Sequence, residues 1–386
     1  MRFLHISDLH IGKIVNDFSM LEDQKFILRQ LDGMAAANKV DAVVIAGDIY
    51  DRAIPPGEAV TLFDEFLTGL VRRNIQVILV SGNHDSPERI SYGENLLDAS
   101  GVHIAGMQKA SLTRVKVGEG TDETEFVLLP FVRSAVAGTA NSNEAVNKLL
   151  SGYWEEETKA QKGERPHKNR VLVTHFFVTD GGKEPELSDS ETTIHVGGID
   201  NVDASLFAGF DYVALGHIHK AQRIGERSVW YAGAPLKYSF GETMQTKCAL
   251  LVTMGKEGLE SVCQLPLNPL HDFRKIKGSL NELLKRGQSE SGERYDYIQA
   301  ILTDRGELID PIGTLRSVYP NIMQIVREEK TISDFEENKE KGMADPVEHK
   351  SAITLFEDFY RQVRDEELPE TGRKIVTEIV KELQDH

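Results

Sequence analysis

The tetrapeptide Gly82-Asn83-His84-Asp85 follows the apolar run Val77-Ile-Leu-Val80. An amide, an imidazole and a carboxylate in succession, where an apolar run stops, read as a buried parallel strand that ends at a reacting centre. Ligands in such sheets sit beyond the carboxyl ends of the strands. The pattern recurs four times. Arg2-Phe-Leu-His-Ile-Ser leads into Asp8-Leu-His10, and Asp41-Ala-Val-Val-Ile-Ala into Gly47-Asp48. Val171-Leu-Val-Thr ends in His175, and Tyr212-Val-Ala-Leu in Gly216-His217-Ile-His219. Five strands therefore converge on oxygen and nitrogen donors.

Carboxylate, amide oxygen and imidazole form a mixed donor set that suits manganese, iron or zinc better than calcium or magnesium. With no cysteine in it, the set does not read as a structural zinc knot. Two divalent ions about 3.5–4 Å apart clamp a phosphate and make water nucleophilic near neutral pH, so the chemistry is phosphoester hydrolysis. Side-chain alternation along a strand predicts that Asp8 and His10 point one way together, as do His217 and His219. Gly47, Gly82 and Gly216 each precede a donor and let the backbone turn tightly beside a metal. A single Asp or His at a strand end is ordinarily a cap or a solvated loop residue; seven in this order are not. His5, inside the first strand, is expected to be packed and hydrogen-bonded. His103, His167, His195, His271, His349 and His386 match no motif and are expected at the surface. No glycine-rich loop with a phosphate-binding lysine occurs, so ATP hydrolysis is not expected of this chain.

Asp-x-His, Gly-Asp, Gly-Asn-His-Asp, a lone strand-end His and Gly-His-x-His, in this order, resemble the calcineurin-like metallophosphoesterases. The variants Ser7-Asp8-Leu-His10-Ile-Gly12 and Gly82-Asn83-His84-Asp85-Ser86 are most similar to those of the nuclease D subunits of bacterial SbcCD-type complexes. The match continues through Ala232-Gly-Ala-Pro235 and the tail. The resemblance implies an α/β fold: a four-layer α-β-β-α sandwich with a small α+β capping domain and a C-terminal helical tail. It implies two ions, manganese by preference. Asp8, His10, Asp48 and His219 would hold one, and Asp48, Asn83, His175 and His217 the other. His84 would approach the scissile phosphate and protonate the leaving oxygen, with Asp85 orienting its ring. Archaeal and eukaryotic relatives carry histidine where this chain has Asp51, which leaves Asp51 as a group behind the ligands. The implied activity is cleavage of double-stranded DNA ends and of single-stranded or hairpin DNA, in repair, recombination and replication. The implied partner is an SbcC-like coiled-coil ATPase gripped by the C-terminal helices. Another phosphatase or cyclic-nucleotide phosphodiesterase, or a non-catalytic scaffold of the ATPase, would share these motifs.

The 386 residues, 40% hydrophobic and 27% charged, are ordinary for a globular chain and exceed what one core serves. No apolar run reaches bilayer length, no signal-peptide core is seen, and Cys248 and Cys263, though candidates for adjacent strands, read as reduced thiols; a cytoplasmic, nucleoid-associated location is expected. The net charge of −17 argues against strong free-standing DNA affinity, although bound metals and a partner supply positive charge that the count omits.

The elements that must position the donors begin β-α-β. Helices are expected over 21–38, with Phe26, Leu28, Leu31 and Met34 inward, over 58–73, and from 87 or 90 to 99. The two around Phe63 and Leu96 are most simply explained by packing on the sheet. In the resembling family, helices here pair two protomers, which implies a homodimer. Short alternating segments over 102–130 read as a second sheet, residues 141–162 as a helix, 162–169 as a polar connection and 179–198 as a surface loop. The domains are expected at 1–268 for the phosphoesterase, 269–329 for the α+β cap, 330–344 for an acidic linker and 345–386 for the helical partner-binding tail. Arg274, Lys275, Lys277, Lys285 and Arg286 make the cap locally basic, compatible with DNA contact. Apolar residues at helical spacing, among them Phe356, Phe359, Ile375 and Ile379, stripe the tail.

Overall fold

The structure, a computed structural model, describes residues 1–119, 123–160, 169–188, 201–304, 306–328, 352–364 and 366–384. The expected acidic linker, most of the 162–169 connection, residues 189–198 of the surface loop, and His167, His195, His349 and His386 lie outside the described residues. Met1–Arg327 and Glu328–His386 form separate compact units.

The first unit opens with β1 (Arg2–Ile6), α1 (Leu21–Ala37), β2 (Ala42–Ala46), α2 (Gly57–Arg72), β3 (Gln76–Val80) and β4 (Val102–Ala105). It continues with β5 (Thr113–Val117), β6 (Thr124–Leu129), α3 (Ser142–Ala160), β7 (Asn169–His175), β8 (Tyr212–Gly216), β9 (Gln222–Arg223) and β10 (Val229–Tyr231), then β11 (Cys248–Gly255) and β12 (Gly258–Pro266). One sheet runs β12-β11-β1-β2-β3-β4 and the other β9-β10-β8-β7-β6-β5. Strands β1 to β4 are mutually parallel, as are β6, β7, β8 and β10.

Three apolar layers explain the unbroken runs. Leu4, Val43, Ile45, Val77 and Leu79 face Ile27, Leu31, Phe63 and Phe66 of α1 and α2. Their strand neighbours Phe3, Val44, Ile78 and Val80 face Phe126, Leu128, Val171 and Tyr212 of the second sheet. Val127, Leu172 and Val213 on the far side of that sheet pack on Val146, Leu150 and Tyr153 of α3. Both faces of each central strand are thus covered, which removes the polar alternation of a half-exposed strand. The result is the expected α-β-β-α sandwich.

Several local expectations change. The His103-Ile-Ala segment is β4, an edge of the first sheet, held by parallel pairing to β3. On α1 the buried stripe is Gln24, Ile27, Leu28, Leu31 and Ala35, so Phe26, a quarter turn away, is partly exposed. The single helix expected before residue 99 is two short ones, Pro87–Ile90 and Glu94–Asp98, separated by Gly93 at φ 74°. Phe63 packs on the sheet as expected, but Leu96 is 81% exposed. Cys248 pairs across from Pro266 and Cys263 from Leu251, so the thiols are not opposite one another, and both are free. His103 and His271 are half-buried rather than open to solvent: His103 bonds Asp98 and Gln76, and His271 bonds the buried Asp23.

His5 is buried in the layer between the sheets, with Nδ1 2.9 Å from Tyr212 Oη and Nε2 3.2 Å from Leu215 O. Burial pulls its pKa down to about 3, against the hydrogen bond to Leu215. A histidine with a depressed folded-state pKa stabilises the fold fully above its unfolded value near 6.5, and that contribution is lost as pH falls from 6.5 toward about 3. The expected loss at about pH 5.5 is roughly 1.5 kcal/mol. Denaturant midpoints of wild type and His5→Gln measured across this window check it: the wild-type excess slope should vanish in the variant, and parallel curves would contradict it.

A smaller layer follows: β13 (Phe273–Gly278), α4 (Leu280–Ser289), β14 (Tyr297–Leu302), α5 (Pro311–Arg316) and β15 (Ile322–Arg327), the strands parallel in that order. Ser279 and Glu282 form a capping box at the start of α4. One face of this sheet closes its own core around Ile276, Leu283, Ile298, Leu315 and Tyr319. Phe273, Tyr297 and Met323 instead join the core of the first sheet, and Tyr297 Oη donates to Asp23 Oδ2 at 2.7 Å. The expected basic cluster is partly neutralised, because Arg274 pairs with Glu290 and Asp296, and Arg286 with Glu290.

The second unit is a helical pair, α6 (Ala352–Arg364) and α7 (Glu370–Gln384), bridged by Arg373 and Glu357 at 2.7 Å. Leu355, Phe356, Phe359 and Val363 on α6 and Ile375 and Ile379 on α7 are all exposed. Among the described residues no helix is long and apolar enough to cross a membrane.

Candidate metal centre

The carboxyl ends of β1, β2, β3, β7 and β8 meet at one end of the sandwich, and the donors lie at or just beyond them. His175 closes β7, while the other four strands stop before their donors begin. Asp8, His10, Asp48 and His217 adopt φ of 52°, 44°, 49° and 107°, four of the nine non-glycine residues with positive φ among those described. Such backbone costs energy and collects at functional sites. Long-range hydrogen bonds impose it: Asp8 N donates to Gly47 O at 3.1 Å, His10 N to Asp48 O at 3.0 Å, and His217 N to Asp8 Oδ1 at 3.0 Å. Strand alternation therefore does not place the pairs. His217 turns to Asn83, with Nδ1 3.0 Å from Oδ1, whereas His219 turns to His10, the two Nε2 atoms 3.2 Å apart.

All seven residues named as donors come together. Ligating atoms of Asp8, His10 and His219 lie within 4.8 Å of one another, as do those of Asp8, Asp48 and His175. Asp48 Oδ2 stands between the groups, 3.3 Å from His175 Nε2 and 3.8 Å from His10 Nε2. Asn83 Oδ1 is 3.0 Å from His175 Nε2. His84 also falls within 4.8 Å of His10 and Asp48.

These residues fit a divalent cation. The Asp8 and Asp48 carboxylates are buried, and among the described residues neither forms an ion pair with lysine or arginine. A buried carboxylate needs a compensating charge. His10 Nδ1 is buried without a hydrogen-bond partner. Burial raises the Asp8 carboxyl to about 6 against the pull of His175 and His219. Burial acts the same way on Asp48, but the charge and hydrogen bond of His175, with His10 and His84, hold it well below the usual carboxylate range. Burial would lower His175, yet Asp48 lifts it to about 9.

The three glycines act mainly by close approach. A Cβ at Gly82 would overlap Asp48 Oδ1, one at Gly216 would overlap Ala46 O, and one at Gly47 would overlap the His175 ring. Only Gly47, at φ 84°, also needs left-handed backbone.

One expected role is corrected. Asp85 does not orient the His84 ring: its carboxylate accepts from Ile49 N, Tyr50 N and Gly82 N at 3.1, 2.9 and 2.9 Å, tying the loops after β2 and β3 together. His84 Nδ1 instead donates to the main-chain oxygen of Asp51 at 3.0 Å. The Asp51 carboxylate lies behind the donors, 2.6 Å from Lys13 Nζ and 3.7 Å from His10 Nδ1.

Several supporting residues carry no motif. Gln24 of α1 donates to His10 O at 2.7 Å, and Tyr238 donates to Leu9 O at 2.6 Å. Glu242 lies 3.5 Å from His219 Nδ1, and Lys247 Nζ donates to His219 O at 2.8 Å. Gln24 had a signal, a polar residue in phase with the apolar stripe of its helix. Glu242 had none, because a charge in a turn is ordinary.

A four-layer sandwich with a buried divalent-metal centre at the strand ends defines a metallophosphoesterase. Residues 1–221 match the calcineurin-like phosphoesterase family, and the chain belongs to it. Residues 269–364 match the type 5 capsule protein repressor C-terminal domain. The chain is 29% identical over 369 residues, 95% of each sequence, to the nuclease D subunit of SbcCD from Staphylococcus epidermidis. Solved structures similar to it include a dimetal phosphatase from Danio rerio, at 13% identity, 69% of this chain, 99% of that one and a TM-score of 0.40. Another is TT1561 of Thermus thermophilus, at 14%, 68%, 98% and 0.38.

Proposed function

We propose that this chain is a manganese-dependent DNA phosphodiesterase, the nuclease subunit of an SbcCD-type complex. The 29% identity across 95% of both chains to a nuclease D subunit of SbcCD carries this reading. In it, Asp8, His10, Asp48 and His219 hold one ion and Asp48, Asn83, His175 and His217 the other. When bound, two such ions polarise a phosphate and lower the pKa of water. Asp48, between the two groups, fixes their spacing. The Asp51 carbonyl holds His84 by Nδ1, which leaves Nε2 to pass a proton to the departing 3′ oxygen. Asp85 holds the two loops in register and touches no reacting atom.

The substrates are double-stranded ends and single-stranded or hairpin DNA, in repair, recombination and replication in the cytoplasm, at the nucleoid. Residues 1–268 serve as the nuclease domain, 269–329 as a cap beside the DNA, 330–344 as a linker and 345–386 as the grip on an SbcC-like coiled-coil ATPase. The exposed apolar residues of α6 and α7 support that grip, since a coiled coil offers apolar surface to cover them. Tyr92 and Leu96, 85% and 81% exposed, support a homodimer contact in the same way.

End-labelled DNA incubated with the purified chain and manganese should be cut, and chelation should stop it. If DNA stays intact even with the ATPase added while a small phosphodiester is hydrolysed, the substrate assignment fails and the chemistry stands.

A further inference from the structure

Glu242 is fully buried, in the single turn Phe240–Glu242. A buried carboxylate is unfavourable unless charge-paired and hydrogen-bonded, and both Glu242 oxygens are engaged. Oε2 lies 2.6 Å from Lys247 Nζ, while Oε1 accepts from Ser239 Oγ at 3.1 Å and stands 3.5 Å from His219 Nδ1. Lys247 Nζ also donates to His219 O at 2.8 Å. Ring and backbone of His219 are therefore held by one ion pair. Phe240 anchors the turn, its ring 5.2 Å from that of Phe273.

We propose that Glu242 is a positioning residue for His219: it accepts the Nδ1 hydrogen and so turns Nε2, the nitrogen 3.2 Å from His10 Nε2, toward the metal centre as its donor atom. The inference rests on the reading of the centre given above. A neutral imidazole has one N–H and one lone pair, so fixing the hydrogen on Nδ1 fixes the lone pair on Nε2. Lys247 balances the Glu242 charge, so the device sets the tautomer without adding net charge beside the ions.

The test is calorimetric titration of the full chain with manganese(II) alone. Wild type should bind two equivalents. Glu242→Leu should weaken one of them about 10- to 100-fold and leave the other unchanged. Glu242→Gln, which keeps an oxygen for the Nδ1 hydrogen, should lose less. A purely structural role would lower thermal stability without separating the two equivalents. A folded Glu242→Leu that binds both equivalents as wild type does, or loses both alike, would overturn the inference. Should the leucine variant not fold, Glu242→Gln decides: weakening confined to one equivalent supports the role, and unchanged binding overturns it. Wild type that binds no manganese would instead sink the reading of the centre itself.

Discussion

Asp48→Asn loses metal and catalysis together: DNA cleavage should fall by at least about a thousandfold, and at least one manganese equivalent should disappear from a titration. Three contacts set this expectation. Asp48 Oδ2 lies 3.3 Å from His175 Nε2 and 3.8 Å from His10 Nε2, and Oδ1 accepts from His84 N at 2.9 Å. One carboxylate thus serves both donor groups and the loop that carries His84. A thousandfold loss corresponds to about 4 kcal/mol of transition-state stabilisation. Asparagine is the informative replacement, because it tolerates the left-handed backbone at φ 49° that alanine would strain, and so isolates the charge. Two equivalents bound with wild-type affinity would show that Asp48 is not shared.

His84→Gln separates the proton from the metal. Cleavage should drop about 10²- to 10⁴-fold with both manganese equivalents retained. The ring is held through Nδ1 by the Asp51 carbonyl at 3.0 Å, which leaves Nε2 for the leaving group. A phosphodiester with a nitrophenol leaving group needs no such proton, so the variant should lose far less on it than on DNA. Because His84 also lies within 4.8 Å of ligating atoms of His10 and Asp48, loss of one manganese equivalent would make it a ligand and remove its role as acid.

The match between sequence and structure is uneven for physical reasons. The α1 helix ends as the sequence predicts because its length is a local matter, but its buried face is set by the sheet beneath, and Phe26 falls off it. The small α+β layer shows in its alternating elements, yet how far the charge of Arg274 is neutralised depended on Glu290 and Asp296, far enough along the chain that only folding brings them to it.

By itself the sequence determined that five buried strands end in Asp8, His10, Asp48, Asn83, His175, His217 and His219. An apolar run broken by polar donors is a local signal, and strands covered on both faces must produce it. Only the tertiary structure decided how those donors are aimed. The backbone of Asp8, His10, Asp48 and His217 is held in left-handed geometry by long-range hydrogen bonds, and His217 and His219 part company where strand alternation would keep them together. The same holds for Asp85, which bonds amides up to 36 residues away, and for Glu242 behind His219, 23 residues apart. A side chain's role is fixed by the atoms it meets, and for these residues they belong to segments that no local pattern brings into view.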